Sequence, residues 1–367
     1  MPSNSGAIVR PIPAPASTLA AFNAIRDAAP AFLLDSVVNV GGFGRHSFLG
    51  ADPFLVFAAK GRRIRIHRPA GRDEELEGDP FEVLRRLLAE HQMPRPDEAA
   101  PFFGGAVGYF GYELRHHVER CTRIAADDFP VPDCYLGFYD RVIAVDHHRH
   151  EAFSCAVGDA AAQKAESLER VIRGARREPR PSDRPAIRGR LRSNFTKHEY
   201  LTAVRCAKDY IAAGDIYQAN LSQRFSAALA ADPFDVYLRL RRANPAPFAA
   251  YLDCGDLFVA CSSPELFLRL DGQRVMTRPI KGTRPRAPTP ARDAAMRREL
   301  LNSEKDRAEL LMITDLERND LGRVCEYGSV RVPQLLTVET YAAVHHLVAT
   351  VVGVLRPDAD PVDLLRA

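Results

Sequence analysis

The sequence has no apolar run long enough to span a bilayer. The best candidate, Val344 to Leu355, is short and carries His345 and His346. The opening stretch, MPSNSGAIVRPIPAPAS, lacks the apolar core of a signal peptide. Both absences lead to the expectation of a cytoplasmic chain without a membrane partner. Paired cysteines are missing too. The seven cysteines are scattered, odd in number and never spaced C-x-x-C, which argues against a disulfide framework and a structural zinc site. No G-x-x-x-x-G-K-[ST] or G-x-G-x-x-G occurs, so the glycines of PFFGGAVGYFGYEL read as close-packing and turn residues in a β region, not as a phosphate cradle. Gly and Pro show no three-residue period, which excludes a collagen-like chain.

What is present fits a folded protein. Apolar residues make up 46% and charged residues 26% of 367 residues, enough for one large or two ordinary domains. The net charge of +3 is uneven. Nine arginines fall between Arg170 and Arg192 against only Glu178 and Asp183, so that segment is +7 and the remainder −4. It has no interleaved aromatics, so it reads as a solvated linker and not as a nucleic-acid surface. The Pro- and Arg-rich stretch divides the chain into an N-terminal region (1–177), a linker (178–195) and a C-terminal region (196–367).

The local patterns predict mixed structure. Residues 54–59 and 63–67 form a hairpin pattern around Lys60-Gly61-Arg62, and Phe81 to Leu88 has helical spacing. Leu136–Val145 and Glu151–Val157 read as a second hairpin around DHHRH. Thr196 and Glu199 have capping-box spacing, and Gly214 stands where that helix stops. A strand is expected over Ile216–Phe225, then a helix from Asp232-Pro233 to Asn244. Short strands at 248–252, 257–262 and 266–270 precede helices at about 291–302 and 304–316. An antiparallel meander followed by helices suggests an α+β fold.

Several residues carry possible chemistry. Asp146, His147, His148, His150 and Glu151 are either metal donors or, at a hairpin tip, solvated polar residues. Lys281 follows a strand, between Ile280 and Gly282. A lysine held beside apolar groups sheds its proton more readily and becomes a nucleophile or base; one at a strand end snorkels to water. Glu265, at another strand start, is a candidate general acid or an exposed turn residue. Glu309 shares a helix face with Ile313 and Leu316. There it holds a cation such as Mg²⁺, or pairs with Lys305 one turn earlier.

Six segments together resemble the chorismate-utilising enzymes. They are GDIYQANLSQRF (214–225), NPAPFAAYL (244–252), SSPELFLRL (262–270), TRPIKGT (277–283), SEKDRAELLMITDLERNDLGRV (303–324) and VHHLV (344–348). LLDS (33–36), RHSFLG (45–50) and FFGGAVGYFGYEL are similar to the N-terminal region of component I enzymes of that family. The resemblance implies an α+β fold, a β-sandwich of largely antiparallel sheets with helices packed outside. Anthranilate synthases usually read P-I-A-G-T where this chain has P-I-K-G-T, and lysine there is the aminodeoxychorismate synthase form.

It further implies that Lys281 attacks C2 of chorismate and displaces the C4 hydroxyl. Ammonia from a glutamine amidotransferase subunit would then add at C4. Glu265 would be the general acid and His346 the active-site histidine. Gln218, Gly282 and Thr283 would bind substrate, and Glu309 would be one ligand of Mg²⁺. A tryptophan-type regulator near Leu34-Asp35-Ser36 is left open. The family continues past the last residues here with a G-x-x-T-G-A-P-K-type motif, an arginine and a second metal glutamate. On that basis an incomplete site is expected, and an anthranilate synthase, a split enzyme and an inactive remnant stand as alternatives.

Overall fold

The computed structural model describes residues 6–93, 101–122 and 127–367; the first five residues of the opening stretch lie outside these. In chain order come β1 (Ile8–Ile12), α1 (Thr18–Ile25), β2 (Ala31–Asp35), β3 (His46–Ala51), β4 (Leu55–Lys60), β5 (Arg63–His67), β6 (Glu74–Glu77) and α2 (Pro80–Glu90). Next are β7 (Gly105–Phe110), β8 (Cys134–Tyr139), β9 (Arg141–Asp146), β10 (Glu151–Ala156) and α3 (Ala161–Arg173). β11 (Ile187–Ser193), α4 (Lys197–Ala213), β12 (Phe225–Leu229) and α5 (Pro233–Ala243) follow. The last part holds β13 (Phe248–Asp253), β14 (Phe258–Ser263), β15 (Leu266–Asp271), β16 (Arg274–Arg278) and β17 (Ile280–Pro285). It ends with α6 (Pro290–Asn302), α7 (Glu304–Val324), β18 (Arg331–Thr340), β19 (Val344–Val354) and α8 (Pro361–Arg366).

The chain forms two compact units. One comprises Met1–Pro179 with Leu240–Ala367, the other Arg180–Arg239. This differs from the division at a linker over 178–195. The reason is strand pairing: β13 lies antiparallel against β2, so the last part of the chain joins the same sheet as the first. Part of the expected linker is itself a strand, since β11 pairs with β12.

Three antiparallel sheets build the larger unit. The order β1-β10-β9-β3-β2-β13-β14 makes the first, and β6-β5-β4-β8-β7 the second. The third runs β15-β16-β19-β17, with β18 also on β19. β8 is buried throughout, and its period-two alternation divides its side chains between two cores. Cys134, Leu136 and Phe138 join Phe81, Leu84 and Leu87 of α2, whereas Tyr139 packs with Phe32, Val142 and Leu252. The Phe32 and Tyr139 rings meet edge to face at 4.6 Å. Gly108 on β7 permits the close pairing, because a Cβ there would sit 1.8 Å from the Tyr135 carbonyl oxygen. Val275, Leu321, Val324 and Val351 make a further core between the third sheet and α7.

Two expected strands change. The stretch Leu136–Val145 is interrupted at Asp140, where the chain leaves the second sheet and enters the first. Residues 216–224 form no strand; pairing begins at Phe225, opposite Ser193 of β11. The smaller unit keeps the predicted helix signals. Thr196 and Glu199 complete a capping box on α4, and Gly214 closes it in the left-handed region. None of the α4 side chains is buried, including the apolar stripe read from Leu201 to Ile211.

Candidate active site

A bulge in β17 creates the centre of the site. Its register against β19 shifts between Ile280 and Thr283, which places Lys281 and Gly282 in the irregular step. Gly282 is required there. Its φ is +86°, and a Cβ would come within 2.8 Å of Asp306 Cβ and 3.0 Å of Leu300 Cδ1. After the bulge, Thr283 faces His346 across the ladder, with Thr283 Oγ1 2.9 Å from His346 Nδ1. Glu265, just before β15, is fixed by the backbone: its Oε1 accepts the Ile280 N–H at 2.8 Å. Glu265, Lys281, Gly282, Thr283 and His346 are therefore gathered at one place.

Burial sets the electrostatics. It holds the His346 imidazole below its ordinary range, against the raising effect of a backbone hydrogen bond with Gly282 and of Glu265 and Glu339. His346 is thus neutral near pH 7. The Tyr341 ring meets it edge to face at 5.2 Å. The Tyr341 hydroxyl donates to Glu339 Oε2 at 3.0 Å, and Glu339 Oε1 accepts from Arg278 Nη2 at 2.5 Å. Glu339 of this buried ion pair stands opposite His346 in the β18–β19 ladder.

Sequence reasoning missed Glu317. The buried side of α7 runs through Leu310, Thr314, Leu321 and Val324. Position 317 continues the same spacing, so a carboxyl stands where an apolar residue would serve. Burial raises its acid to about 7; a Thr277 hydrogen bond and Lys281 act in the opposite direction, and Glu265 and Asp320 add to the rise. Glu317 Oε2 is buried without a hydrogen-bond partner. The signal available in the sequence was a glutamate inside this periodic stripe. The face read with Glu309, Ile313 and Leu316 is instead partly open: Leu316 is exposed.

Glu309 lies on α7 with one-third of its side chain exposed, 3.3 Å from Lys305 Nζ. Among the described residues no group of three or more His, Cys, Asp or Glu is placed to hold a metal ion. Glu309 is engaged in this local pair. The same holds for the His-rich turn after β9. Asp146 there accepts from Arg45 Nη2 at 2.6 Å and from the backbone of His148 and Arg149. Gln218 belongs to the smaller unit, in a stretch without regular structure. Leu34, Asp35 and Ser36 line a cavity of about 630 Å³ together with Phe43, Phe48 and Phe248.

Residues 40–367 match the chorismate binding enzyme family. The chain belongs to that family. It is similar to aminodeoxychorismate synthase component 1 of Escherichia coli, with 38% identity over 92% of this chain and 73% of that one. Anthranilate synthase component 1 of Acetivibrio thermocellus is 34% identical over 94% of this chain and 73% of its own. Among solved structures, anthranilate synthase component I from Streptococcus pneumoniae superposes with a TM-score of 0.75 at 29% identity, covering 88% of this chain and 72% of that one. The menaquinone-specific isochorismate synthase of Escherichia coli shares the fold at a TM-score of 0.65 and 13% identity. The expected α+β architecture of antiparallel sheets and outer helices is thus the observed one. No helix among the described residues is long and apolar enough to cross a membrane.

Proposed function

We propose that this chorismate-binding enzyme is the component I of an aminodeoxychorismate synthase, converting chorismate and ammonia to 4-amino-4-deoxychorismate. The observation that carries this is Lys281 on the bulge of β17, in the same cluster as Glu265 and His346. An amine presented there attacks C2 of the ring as the C4 hydroxyl leaves. Hydroxide leaves poorly, so Glu265 gives it a proton and water departs. Ammonia then forms the C4–N bond and the lysine amine leaves C2. Thr283 orients His346 through the 2.9 Å contact, and the neutral imidazole offers a hydrogen bond near the departing oxygen. A glutamine amidotransferase subunit would supply the ammonia. Glu309 would contribute a ligand to Mg²⁺, which would offset negative charge on the substrate, and no step above depends on it.

Anthranilate synthase is the second reading, because relatives of that name match at comparable identity. Lysine at 281 favours the first. The test is product identity. Residues 1–367, and a version extended through the C-terminal region that the longer relatives carry, are given chorismate, ammonium and Mg²⁺. The 4-amino isomer is expected, and its loss in Lys281→Ala. Formation of anthranilate, or an unchanged rate in Lys281→Ala, would remove this assignment.

A further inference from the structure

The chain after β7 gathers reactive side chains that the site around Lys281 does not use. Residues Tyr112–His117 form a short 3-10 helix. Three residues complete one turn of such a helix, so Glu113 and His116 lie one above the other, with Glu113 Oε2 3.1 Å from His116 Nε2. The chain then doubles back. The Glu119 N–H donates to the Arg115 carbonyl at 2.7 Å, and the Cys121 N–H to the Glu119 carbonyl at 3.1 Å. This turn sets Cys121 Sγ 3.1 Å from His116 Nδ1. Leu114 anchors the helix in the core that holds Phe81 and Leu84, and Arg366 Nη2 donates to the His117 carbonyl at 3.2 Å.

The two contacts use opposite ring nitrogens of His116. The three groups therefore stand in line instead of converging on one point, as metal ligands would, and among the described residues no metal-holding group is found. A thiol, a base within hydrogen-bond reach and a carboxylate that orients the base make an activated nucleophile. Burial runs in the direction this needs: 8% of the His116 side chain is exposed, whereas Cys121 is open to solvent. Cys121 lies on a cavity of about 540 Å³, large enough for an organic molecule, whose walls include Arg62, Arg120 and Glu119. Arg115 stands beside Glu113, 3.5 Å from its Oε1. Three guanidinium groups against two carboxylates favour an anion. His117 also lines the cavity, and its Nε2 is buried without a hydrogen-bond partner, which a carboxylate on such a molecule would satisfy.

We propose that Cys121 is a modification site, a nucleophilic thiol that exchanges with small anionic disulfides while His116 takes its proton and Glu113 holds the imidazolium. The Cys121 sulfur attacks one sulfur of the incoming disulfide. A mixed S–S bond forms, the old S–S bond breaks, and its electron pair leaves with the other half as a thiolate. That thiolate receives the proton from His116. Cys121 is oxidised and the incoming disulfide is reduced. Glu113 acts through the histidine and is a positioning residue.

The experiment treats residues 1–367 with dithiobis(nitrobenzoate), a dianionic aromatic disulfide, and assigns each modified cysteine by peptide mass spectrometry. Exposed Cys206 is the internal reference, and buried Cys134 and Cys155 report unfolding by becoming reactive. Cys121 should react at least about tenfold faster than Cys206 near neutral pH. His116→Gln should bring it down to the Cys206 rate, and Glu113→Gln should slow it about threefold, with Glu113→Asp recovering part of the loss. Cys206 should keep its rate in all three variants. Cystamine, a cationic disulfide, should lose most of the preference for Cys121. Equal rates at Cys121 and Cys206 in the wild type would overturn the proposal, as would a Cys121 rate unchanged in His116→Gln. If Cys134 labels in His116→Gln, that variant has unfolded and Glu113→Gln decides: an unchanged Cys121 rate there overturns the relay.

Discussion

Replacing Glu317 by Gln should stabilise the protein at pH 8 and lose that advantage near pH 4.5. The carboxyl's ordinary midpoint is 4.5 and its folded one about 7, so the folded state binds the proton more tightly than the unfolded chain. Below 4.5 both states are protonated and the residue makes no difference. Between 4.5 and 7 the unfolded chain ionises first, so stability falls as pH rises. Above 7 the cost is complete and constant. The shift corresponds to about 3 kcal/mol at most, and because solvent reaches part of the side chain we expect about 1–2 kcal/mol. Gln keeps the volume and an oxygen for Thr277 while removing the charge. The assay is urea unfolding of both proteins at a series of pH values, followed by circular dichroism, since the chain has no tryptophan. Comparing the variant's advantage across pH cancels any fixed cost of the amide. An advantage that stays flat from pH 4.5 to 8 would refute the reasoning, because Glu317 would then be no better protonated in the fold than outside it.

Gly282→Ala should cost about 2–4 kcal/mol in the same unfolding assay, because the new methyl meets Asp306 and Leu300 at a positive φ. Arg278→Met should cost about 3–5 kcal/mol by leaving Glu339 buried and unpaired, and the double variant with Glu339→Gln should recover part of it. His346 should titrate below an ordinary histidine by NMR, so acidification through its unfolded midpoint should favour unfolding, an effect absent in His346→Gln. Glu309→Gln should weaken any Mg²⁺ dependence of chorismate binding without changing the melting temperature, since its pair with Lys305 is an exposed one-turn contact.

The local fold was largely readable from sequence. The capping box at Thr196, the hairpin at Lys60-Gly61-Arg62 and the α2 stripe are written in neighbouring residues, and all three occur. What was unreadable depends on distant partners. Nothing near residues 136–145 reveals that Asp140 passes the chain from one sheet to another. The expected strand at 216–224 has alternation but no ladder beside it among the described residues. In the site, Lys281, Glu265 and His346 were singled out from three separate sequence segments, yet the bulge beside which they lie is a register shift against β19 and leaves no mark in sequence. Glu317 was missed because the helix was read from the face of Glu309, Ile313 and Leu316, whose Leu316 turns out to be exposed, and a charged residue inside a buried stripe lowers the very signal that would identify the stripe.

The pairing of β2 with β13 ties synthesis to assembly. Residues 31–35 leave the ribosome long before 249–253 exist, so during translation one side of β2 has no neighbour. The nascent first part must wait in an unfinished state, exposed to chaperones and to self-association, until the second arrives. A gene cut at the Pro- and Arg-rich stretch would therefore not yield two independent products. It would yield a fragment with a bare strand edge and another lacking the strand it docks against, and only their co-expression should give soluble protein.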